Sequence, residues 1–366
     1  MDRTDGAPAS TVGEFDIPGA LREVDAALKA ALLRYAEQLP PDLITMGKMA
    51  LHARGKVMAW SRAQETGAEA LLPRWPLFVL FGCRAALPAE ERGRWREAIP
   101  AAVAVEIAIA AADLIDEWSD GDDSPVIEQY GPGQAINVAN LMLVMAQQVL
   151  VWEAQRPGGN AYAGGALGAL QDMLVEAAVG QHLDMAYEHM PYRDVTPEMS
   201  GQMTEKKAGA LIGGACRMGA LMTGADEEVT ALVWRFGRQV GGMAQLANDI
   251  QDVLPHGTEV VTPDGSGALI APPKTDLARR KRTLPIVFAL RDEAAEPNAV
   301  QRAYAGGPGA EGIDEDAMRR AVMEAGGVNF AHLVLDVYRN NATEALDALE
   351  AVRPGARDVL SPLLGG

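Results

Sequence analysis

A long apolar run that ends in a group of carboxylates is the feature that most constrains how this chain can fold. Residues 101–112 read AAVAVEIAIAAA, and the next thirteen residues, DLIDEWSDGDDSP, carry six acidic side chains. Such a run is typical of a helix buried in a protein core. A single group of carboxylates at a helix end is usually only solvated, so this group indicates a cation site only if a second, matching group accompanies it.

The rest of the sequence favours an all-α protein. Apolar residues make up 48% of the 366 residues and aromatic residues only 5%, and apolar positions recur at three- and four-residue spacing rather than in alternation. We therefore predict one large helical bundle, a single domain over residues 16–366, preceded by a disordered tail at 1–15. The Gly- and Pro-rich segment PHGTEVVTPDGSGALIAPPK, residues 255–274, predicts a mobile flap.

Charge and cysteine content restrict the partners and the location of the protein. A formal net charge of −18 excludes non-specific binding to nucleic acid, because the phosphate backbone requires a basic surface. Cys83 and Cys216 lie in apolar helical stretches and are expected to be buried, reduced thiols. The polar N-terminus lacks an apolar signal core, and charges or breakers interrupt the apolar runs, so we expect a cytoplasmic protein without a membrane span.

Two acidic clusters of the sequence share the spacing i, i+1, i+4. The first consists of Asp116, Glu117 and Asp120, and the second of Asn248, Asp249 and Asp252. Positions i and i+4 lie on one face of a helix, so each cluster predicts a claw of oxygen ligands suited to Mg²⁺. Asp113 and Gln245 each precede a claw by three residues as a further polar group. Asp122 and Asp123 are expected only to solvate the helix end.

Basic side chains that could accompany a bound phosphate occur in two places. Lys207 lies in EKKAGALIG, a helical stretch of apolar and small residues. The segment KTDLARRKRTLP, 274–285, contains the densest positive charge of an acidic chain, namely Lys274, Arg279, Arg280, Lys281 and Arg282. Ammonium and guanidinium groups bind phosphate oxygens. Together with the two claws, these cations predict a diphosphate site.

These motifs together resemble those of the polyprenyl synthetase family, which has the all-α fold of the class I isoprenoid (terpenoid) synthases. DEWSD at 116–120 and NDIQD at 248–252 resemble the two aspartate-rich motifs of the family. GQHLD at 180–184 resembles its GQxxD motif, and KKAGALIG at 206–213 resembles the segment with its conserved lysine. KTDLARRKRTLPIVFAL resembles its C-terminal diphosphate-binding segment.

The resemblance implies an enzyme that ionises an allylic prenyl diphosphate of the C15–C20 class with Mg²⁺, three ions when the diphosphate is bound. The implied metal ligands are the six claw residues, and the implied catalytic residues are Asp116, Asp249, Lys207 and Gln245. The implied diphosphate-binding residues are Lys207, Lys274, Arg280 and Lys281. The implied cavity residues are Trp75, Ala111, Ala112, Trp118 and Gln181. Relatives also imply a homodimer, with the apolar helix at 133–150 as its interface.

The sequence departs from chain-elongating members of the family where these bind their second substrate, isopentenyl diphosphate. Their GGKxxRP motif corresponds to ALLPRWP, 70–76, which has Leu72 at the lysine position and Trp75 at the arginine position. Their Arg-Arg pair after the first acidic motif corresponds to Pro125 and Val126. Without a second diphosphate site, the carbocation is expected to be captured by its own double bonds or by water.

The main hypothesis is therefore a terpene synthase of the polyprenyl synthetase type. The alternative is a chain-elongating synthase of farnesyl, geranylgeranyl or polyprenyl diphosphate that reaches isopentenyl diphosphate through Arg74, Lys48 or Lys56. Two further alternatives are prenyl transfer to a non-isoprenoid acceptor, such as a peptide tryptophan, and a non-catalytic subunit of a heteromeric synthase.

Overall fold

A computed structural model describes residues 15–68, 72, 74–122, 124–254, 276–293, 296–305 and 314–364. Helices dominate this part of the chain and no β-strand occurs in it, which confirms the all-α prediction. The predicted tail, apart from Phe15, and the predicted flap at 255–274 lie outside the described residues.

Within the described ranges, seventeen α-helices follow one another. They are α1 (Ile17–Ala36), α2 (Pro41–Leu51), α3 (Val57–Thr66), α4 (Arg74–Ala86), α5 (Ile99–Asp120), α6 (Pro125–Tyr130), α7 (Pro132–Gln155), α8 (Ala163–His189), α9 (Pro197–Thr204), α10 (Ala210–Leu221), α11 (Glu227–Val253), α12 (Asp276–Arg279), α13 (Leu284–Leu290), α14 (Ala299–Ala305), α15 (Glu315–Glu324), α16 (Gly327–Val352) and α17 (Ala356–Leu360). A 3₁₀ helix, Ala89–Ala98, leads directly into α5.

Helix α5 is the predicted core helix, and it ends in the first acidic cluster. All side chains from Ala101 to Ala111 are buried, because α5 packs against α7, α4, α1 and α2. Gly121 ends the helix in the left-handed conformation, at φ 66°, which glycine adopts without steric cost. The burial of the helix stops at its last turns, so the carboxylates of 113–120 stand where the core meets solvent.

By length and composition alone, two helical stretches of the described residues could cross a membrane. They are 89–120 and 132–155, and their most apolar windows are 72% and 44% buried inside the protein. Packing within the core thus accounts for the apolar character of α5. Helix α7 buries less of its apolar surface and leaves Val144 exposed.

The other long helices surround α10, which is rich in glycine and alanine. Helix α10 packs against α4, α8 and α11, and α11 also packs against α16. Cys83 on α4 and Cys216 on α10 are buried and free, as predicted. Helices α13, α14 and α15 cover the end of α11 and form a smaller core with Val253. Both acidic clusters therefore lie at the ends of helices that the core fixes in place.

A π-turn, Glu205–Gly209, separates α9 from α10. The three- and four-residue spacing of apolar positions predicts one helix over 197–223, so this interruption was not expected. The π-turn is held between α8 and α11 by two close approaches. A Cβ atom on Gly180 would lie 2.4 Å from the backbone nitrogen of Lys207, and one on Gly241 would lie 2.5 Å from the carbonyl oxygen of Ala208. Glycine at both positions lets the backbone that carries Lys207 enter between the two helices.

We expect Gly180→Ala to lower the free energy of unfolding by about 1–3 kcal/mol, because the added methyl group overpacks the π-turn. Gly168→Ala on the same helix is the matched control, since a Cβ atom there meets nothing within 4 Å. It should leave stability unchanged or raise it by up to about 1 kcal/mol through helix propensity. Denaturant unfolding of both variants measures the difference. Equal stability of the two variants would contradict this account of the π-turn.

Candidate active site

The site is built around the carboxylate of Asp184, the last residue of the GQHLD motif on α8. Asp184 is 5% exposed, and its Oδ2 accepts hydrogen bonds from two ammonium groups. Lys207 Nζ of the π-turn lies 3.0 Å away and Lys281 Nζ lies 3.4 Å away. One buried oxygen thus connects three segments that are distant in sequence.

The same two lysines reach the first acidic cluster. Lys207 Nζ donates to Asp116 Oδ1 at 3.2 Å, and Lys281 Nζ donates to Asp120 Oδ1 at 2.8 Å. Lys281 also pairs with Glu188 Oε1, at 2.7 Å. The structure therefore brings together four of the site residues named from the sequence, Asp116, Asp120, Lys207 and Lys281. It adds Glu188, which stands four residues after Asp184 and which no motif indicated.

These ion pairs shift the pKa values of their members toward the charged forms. Burial alone would raise the pKa of Asp184, but Lys207 and Lys281 hold it below its usual value. Burial alone would lower the pKa of each lysine, yet the neighbouring carboxylates, Asp184 above all, raise it. Glu117 differs, because its partial burial raises its pKa. Both lysines are therefore cationic at neutral pH and can bind an anion.

The residues Arg279–Arg282, here called the basic segment, are fixed through their backbone. Tyr304 donates its hydroxyl to the carbonyl of Lys281 at 2.8 Å, and Ser200 donates to the carbonyl of Arg282 at 2.9 Å. Arg279 forms ion pairs with Asp120, at 3.7 Å, and with Asp122. The expectation that Asp122 only solvates the helix end was wrong, because Asp122 ties the basic segment to the end of α5. Lys274 lies outside the described residues.

Arg280 combines a strained backbone with a buried charge. Its φ of 61° is the one positive φ of a non-glycine residue in the described ranges. The side chain is 6% exposed, and within the described structure its three guanidinium nitrogens make no hydrogen bond. Both features cost free energy and persist at functional sites when they serve a ligand. They support the prediction that Arg280 binds a phosphate group.

The second acidic cluster lies near the end of α11, and α11 packs on the other side of the π-turn. Asp249 and Asp252 are buried, and Gln245 Nε2 donates to Asp249 Oδ1 at 2.9 Å. Asn248 lies on the exposed side of the helix. The π-turn that carries Lys207 is thus flanked by α8, with Asp184, and by α11, with Asp249.

The donor chemistry of the two clusters fits Mg²⁺. Carboxylate and amide oxygens are the hard ligands that this ion prefers. Among the described residues, however, no three His, Cys, Asp or Glu side chains are grouped as a metal site. The ammonium groups of Lys207 and Lys281 balance the charges of Asp116 and Asp120 instead. The six metal ligands therefore stay a prediction.

The predicted cavity residues occupy different environments. Ala111 is fully buried and Ala112 partly buried, and Trp75 packs edge-to-face on Phe78 with ring centroids 5.8 Å apart. Trp118 is 50% exposed, so its ring is available at the surface beside the first acidic cluster. Gln181 buries an amide nitrogen that makes no hydrogen bond within the described residues. A role for these residues as cavity walls stays a prediction.

Three basic residues were named from the sequence as candidates to bind isopentenyl diphosphate. Of these, only Lys56 is buried, and it lies beside the first acidic cluster. Lys48 and Arg74 are exposed. Lys56 is 3% exposed, and its ammonium contacts Asp113, one helical turn before Asp116. Lys56 follows Gly55, which adopts a φ of 80°. The turn before α3 thus directs a cation to the last turns of α5.

Glu106 is a buried residue of the same region that the sequence analysis did not single out. It is the one charged side chain of the apolar run at 101–112, and that isolation was the available signal. Its Oε1 accepts a hydrogen bond from the backbone N–H of Val57 at 2.6 Å. Burial raises its pKa to about 7, and Lys56 lowers it by less. Glu106 thus connects α5 to the residue after Lys56.

Comparison with known proteins yields one family and a set of curated relatives. A family model described as Polyprenyl synthetase matches residues 76–321. The geranylgeranyl diphosphate synthase of Mycobacterium tuberculosis is 28% identical over 273 residues, which cover 73% of each chain. The short chain isoprenyl diphosphate synthase of Methanothermobacter thermautotrophicus is 29% identical over 270 residues, 72% of this chain and 77% of that protein.

Solved structures share the fold over nearly the whole chain. The polyprenyl synthetase from Streptomyces coelicolor A3(2) gives a TM-score of 0.70 at 26% identity and covers 95% of this chain and 98% of its own. The geranylgeranyl pyrophosphate synthase from Corynebacterium glutamicum, complexed with isoprenyl diphosphate and magnesium, gives 0.72 at 18% identity, with 95% and 99% covered. These likenesses confirm the expected isoprenoid synthase fold.

We expect Arg280→Gly to raise the thermal unfolding midpoint, because glycine adopts a φ of 61° without strain and the variant lacks a buried charge that has no hydrogen-bond partner among the described residues. The same variant should bind inorganic diphosphate roughly tenfold more weakly, since a charge-assisted hydrogen bond is lost. Differential scanning fluorimetry and isothermal titration in Mg²⁺ buffer measure the two effects. Arg280→Lys should retain most of the affinity. A stabilised Arg280→Gly protein with unchanged affinity would show that Arg280 does not bind the diphosphate.

Proposed function

The chain belongs to the polyprenyl synthetase family, an enzyme family that acts on prenyl diphosphates, and on this premise we propose that it elongates an allylic prenyl diphosphate with isopentenyl diphosphate. The curated relatives that it matches over more than two thirds of its length are named as geranylgeranyl, short chain isoprenyl and geranylfarnesyl diphosphate synthases. These names support elongation over the cyclisation that the sequence analysis placed first.

The observation that carries this proposal is the position of Lys56. Elongation requires a cation for a second diphosphate, and Leu72, Trp75, Pro125 and Val126 cannot supply one. Lys56 supplies an ammonium group at Asp113, whereas Lys207 supplies another at Asp116. Two cations from different segments thus meet adjacent turns of α5, as the binding of two diphosphates in one site requires.

On the allylic side, the residues already brought together would hold the first diphosphate. Lys207, Lys281 and Arg280 would bind its oxygens and stabilise the negative charge that grows on them as the C–O bond breaks. Mg²⁺, when bound through the two acidic clusters, would add positive charge to the same leaving group. The allylic C1 would then bond to the terminal carbon of the isopentenyl double bond, with loss of one proton and release of inorganic diphosphate.

Cyclisation or quenching by water is the second candidate. It is favoured by the uncharged side chains of Leu72, Trp75, Pro125 and Val126, since these stand where the sequence comparison expects the cations for isopentenyl diphosphate. Both candidates share the ionisation step and the residues of the allylic side. They differ only in what captures the carbocation.

Incubation of the purified protein with Mg²⁺ and farnesyl or geranylgeranyl diphosphate, with and without isopentenyl diphosphate, distinguishes the candidates by mass spectrometry. We expect a longer prenyl diphosphate only when isopentenyl diphosphate is present. Lys56→Gln should raise the KM for isopentenyl diphosphate by roughly tenfold or more, as expected for the loss of a charge-assisted contact, and should leave the KM for the allylic substrate nearly unchanged.

Lys48→Gln is the matched control, because Lys48 is an exposed lysine of the neighbouring helix α2. Its KM values should equal those of the wild type. A hydrocarbon or alcohol formed without isopentenyl diphosphate would refute the proposed elongation and support cyclisation or quenching by water. In a parallel incubation with a tryptophan-containing peptide, a prenylated peptide in place of both products would favour transfer to a non-isoprenoid acceptor. Complete inactivity would favour a non-catalytic subunit.

We also propose that two copies of the chain pack through α7 and α8. Val144 on α7 and Val175 and Val179 on α8 are large apolar side chains that are exposed to solvent. Between the helices, Gln171 Nε2 donates to Gln147 Oε1 at 3.1 Å, so uncharged amide groups connect α7 and α8 there. Exposed apolar residues on adjacent helix faces are typical of an interface between subunits.

Val144→Glu combined with Val175→Glu should therefore convert a dimer to monomers, because two buried carboxylates in each copy would oppose association. Light scattering coupled to gel filtration measures the mass. Leu33→Glu on α1 is the control, since Leu33 is equally exposed but lies on another helix. A wild-type monomer, or a double variant that stays dimeric, would refute this interface.

A further inference from the structure

Lys56 is held at both of its ends by residues of α5. At the backbone end, the N–H of Val57 donates to Glu106 Oε1 at 2.6 Å. At the side-chain end, the ammonium contacts Asp113. Positions 106 and 113 are seven residues apart, so they lie on one face of α5 and about 10 Å apart along its axis. The lysine therefore extends along two turns of α5, from the core toward the acidic cluster.

The burial of Glu106 in a core helix is energetically unfavourable. It is 0% exposed, and its Oε2 is buried without a hydrogen-bond partner in the described structure. A buried carboxylate with one unsatisfied oxygen costs several kcal/mol compared with an apolar side chain. Neighbouring positions of the run, such as Val105 and Ile107, are filled by aliphatic side chains that carry no such cost. Packing alone therefore does not explain Glu106.

Its one hydrogen bond shows what Glu106 does for the local structure. Lys56 is the N-cap of α3 and has an extended backbone, with φ −92° and ψ 153°. Its side chain does not cap the helix, so the first N–H of α3 has no acceptor of its own. Glu106 accepts that N–H from the side of α5. It thus fixes the first turn of α3 against α5 and leaves the side chain of Lys56 free to reach Asp113.

We propose that Glu106 is a positioning residue for the second substrate: it anchors the start of α3 so that the ammonium of Lys56 stands beside the first acidic cluster, where it binds the diphosphate of isopentenyl diphosphate. This inference rests on the proposed chain elongation. Asp113 is the partner of Lys56 in the free protein, and about half of its side chain is exposed. The incoming diphosphate takes the place of Asp113 at an ammonium that Glu106 has already oriented.

The test compares three variants in the elongation assay. Glu106→Ala removes the acceptor and should raise the KM for isopentenyl diphosphate about tenfold, the equivalent of one lost hydrogen bond. The kcat and the KM for the allylic substrate should change much less. Glu106→Gln keeps an oxygen that accepts the Val57 N–H, and its KM should stay within about threefold of the wild type, well under the 1.4 kcal/mol of a tenfold change.

Val57→Pro approaches the same contact from the other side. Proline is favoured at the first position of a helix, and the extended backbone of Lys56 suits the residue before a proline. The variant removes the N–H donor while Glu106 stays in place. It should raise the KM for isopentenyl diphosphate as Glu106→Ala does, and it keeps the proposal testable where Glu106→Ala does not fold.

Glu153→Ala is the matched control for a purely structural role. Glu153 is also buried, and it also accepts a backbone N–H, that of Asn160, at 2.8 Å, but it lies on α7. It should lower the thermal midpoint and leave both KM values unchanged. An unchanged KM for isopentenyl diphosphate in Glu106→Ala and Val57→Pro, with Lys56→Gln impaired, would overturn the inference about Glu106 alone. A wild-type protein without elongation activity would overturn the proposed function instead.

Discussion

The buried carboxylate of Asp184 is the interaction on which the geometry of the candidate site depends. Without cations, a carboxylate at this depth would cost several kcal/mol. Lys207 and Lys281 provide the compensation from two segments that are distant in sequence. The same ammonium groups satisfy Asp116 and Asp120. Charge balance at Asp184 therefore acts together with the packing of the π-turn and the backbone hydrogen bonds of the basic segment to hold these segments and the end of α5 against α8.

This arrangement requires a local departure from regular helix. A π-turn adds a residue to one turn and changes the face on which the following side chains lie. At Glu205–Gly209 it allows Lys207 to point at Asp184 while α10 keeps its small residues in the core. The two glycines that admit the π-turn, Gly180 and Gly241, belong to the helices that carry the GQHLD motif and the second acidic cluster. Site geometry and helix packing are thus specified by the same residues.

The sequence predicted those parts of the structure that depend on local pattern. The apolar run at 101–112 predicted the core helix, and the spacing of the motifs singled out Asp116, Asp120, Lys207 and Lys281, which the structure places in contact. The sequence could not predict ion pairs between residues that only the tertiary fold brings together. Nothing near Glu188 or Asp122 in the sequence indicates a lysine or an arginine partner. In the structure, Glu188 pairs with Lys281 and Asp122 pairs with Arg279.

The same limit applies to Lys56. The sequence named it together with Lys48 and Arg74, because no local pattern tells which of three cations folds back onto α5. The turn at Gly55 before α3 directs the side chain of Lys56 toward α5. Glu106, a lone charge in an apolar run, holds the start of α3 against α5. The left-handed backbone of Arg280 was equally invisible, since arginine has no preference for that conformation.

The two halves of the site differ in how strongly they are charged, and this difference bears on the product. In the proposed function the allylic diphosphate meets Lys207, Lys281 and Arg280, whereas isopentenyl diphosphate meets Lys56 alone, whose ammonium contacts Asp113 in the free protein. A carbocation formed by strong ionisation is captured by whichever acceptor is in place when it forms. Under the proposed function, occupancy of the Lys56 position would therefore set the balance between elongation and capture by internal double bonds or water. A change that weakens this single cation would then shift the product spectrum without affecting ionisation, because Lys56 contacts neither Asp116 nor Asp184.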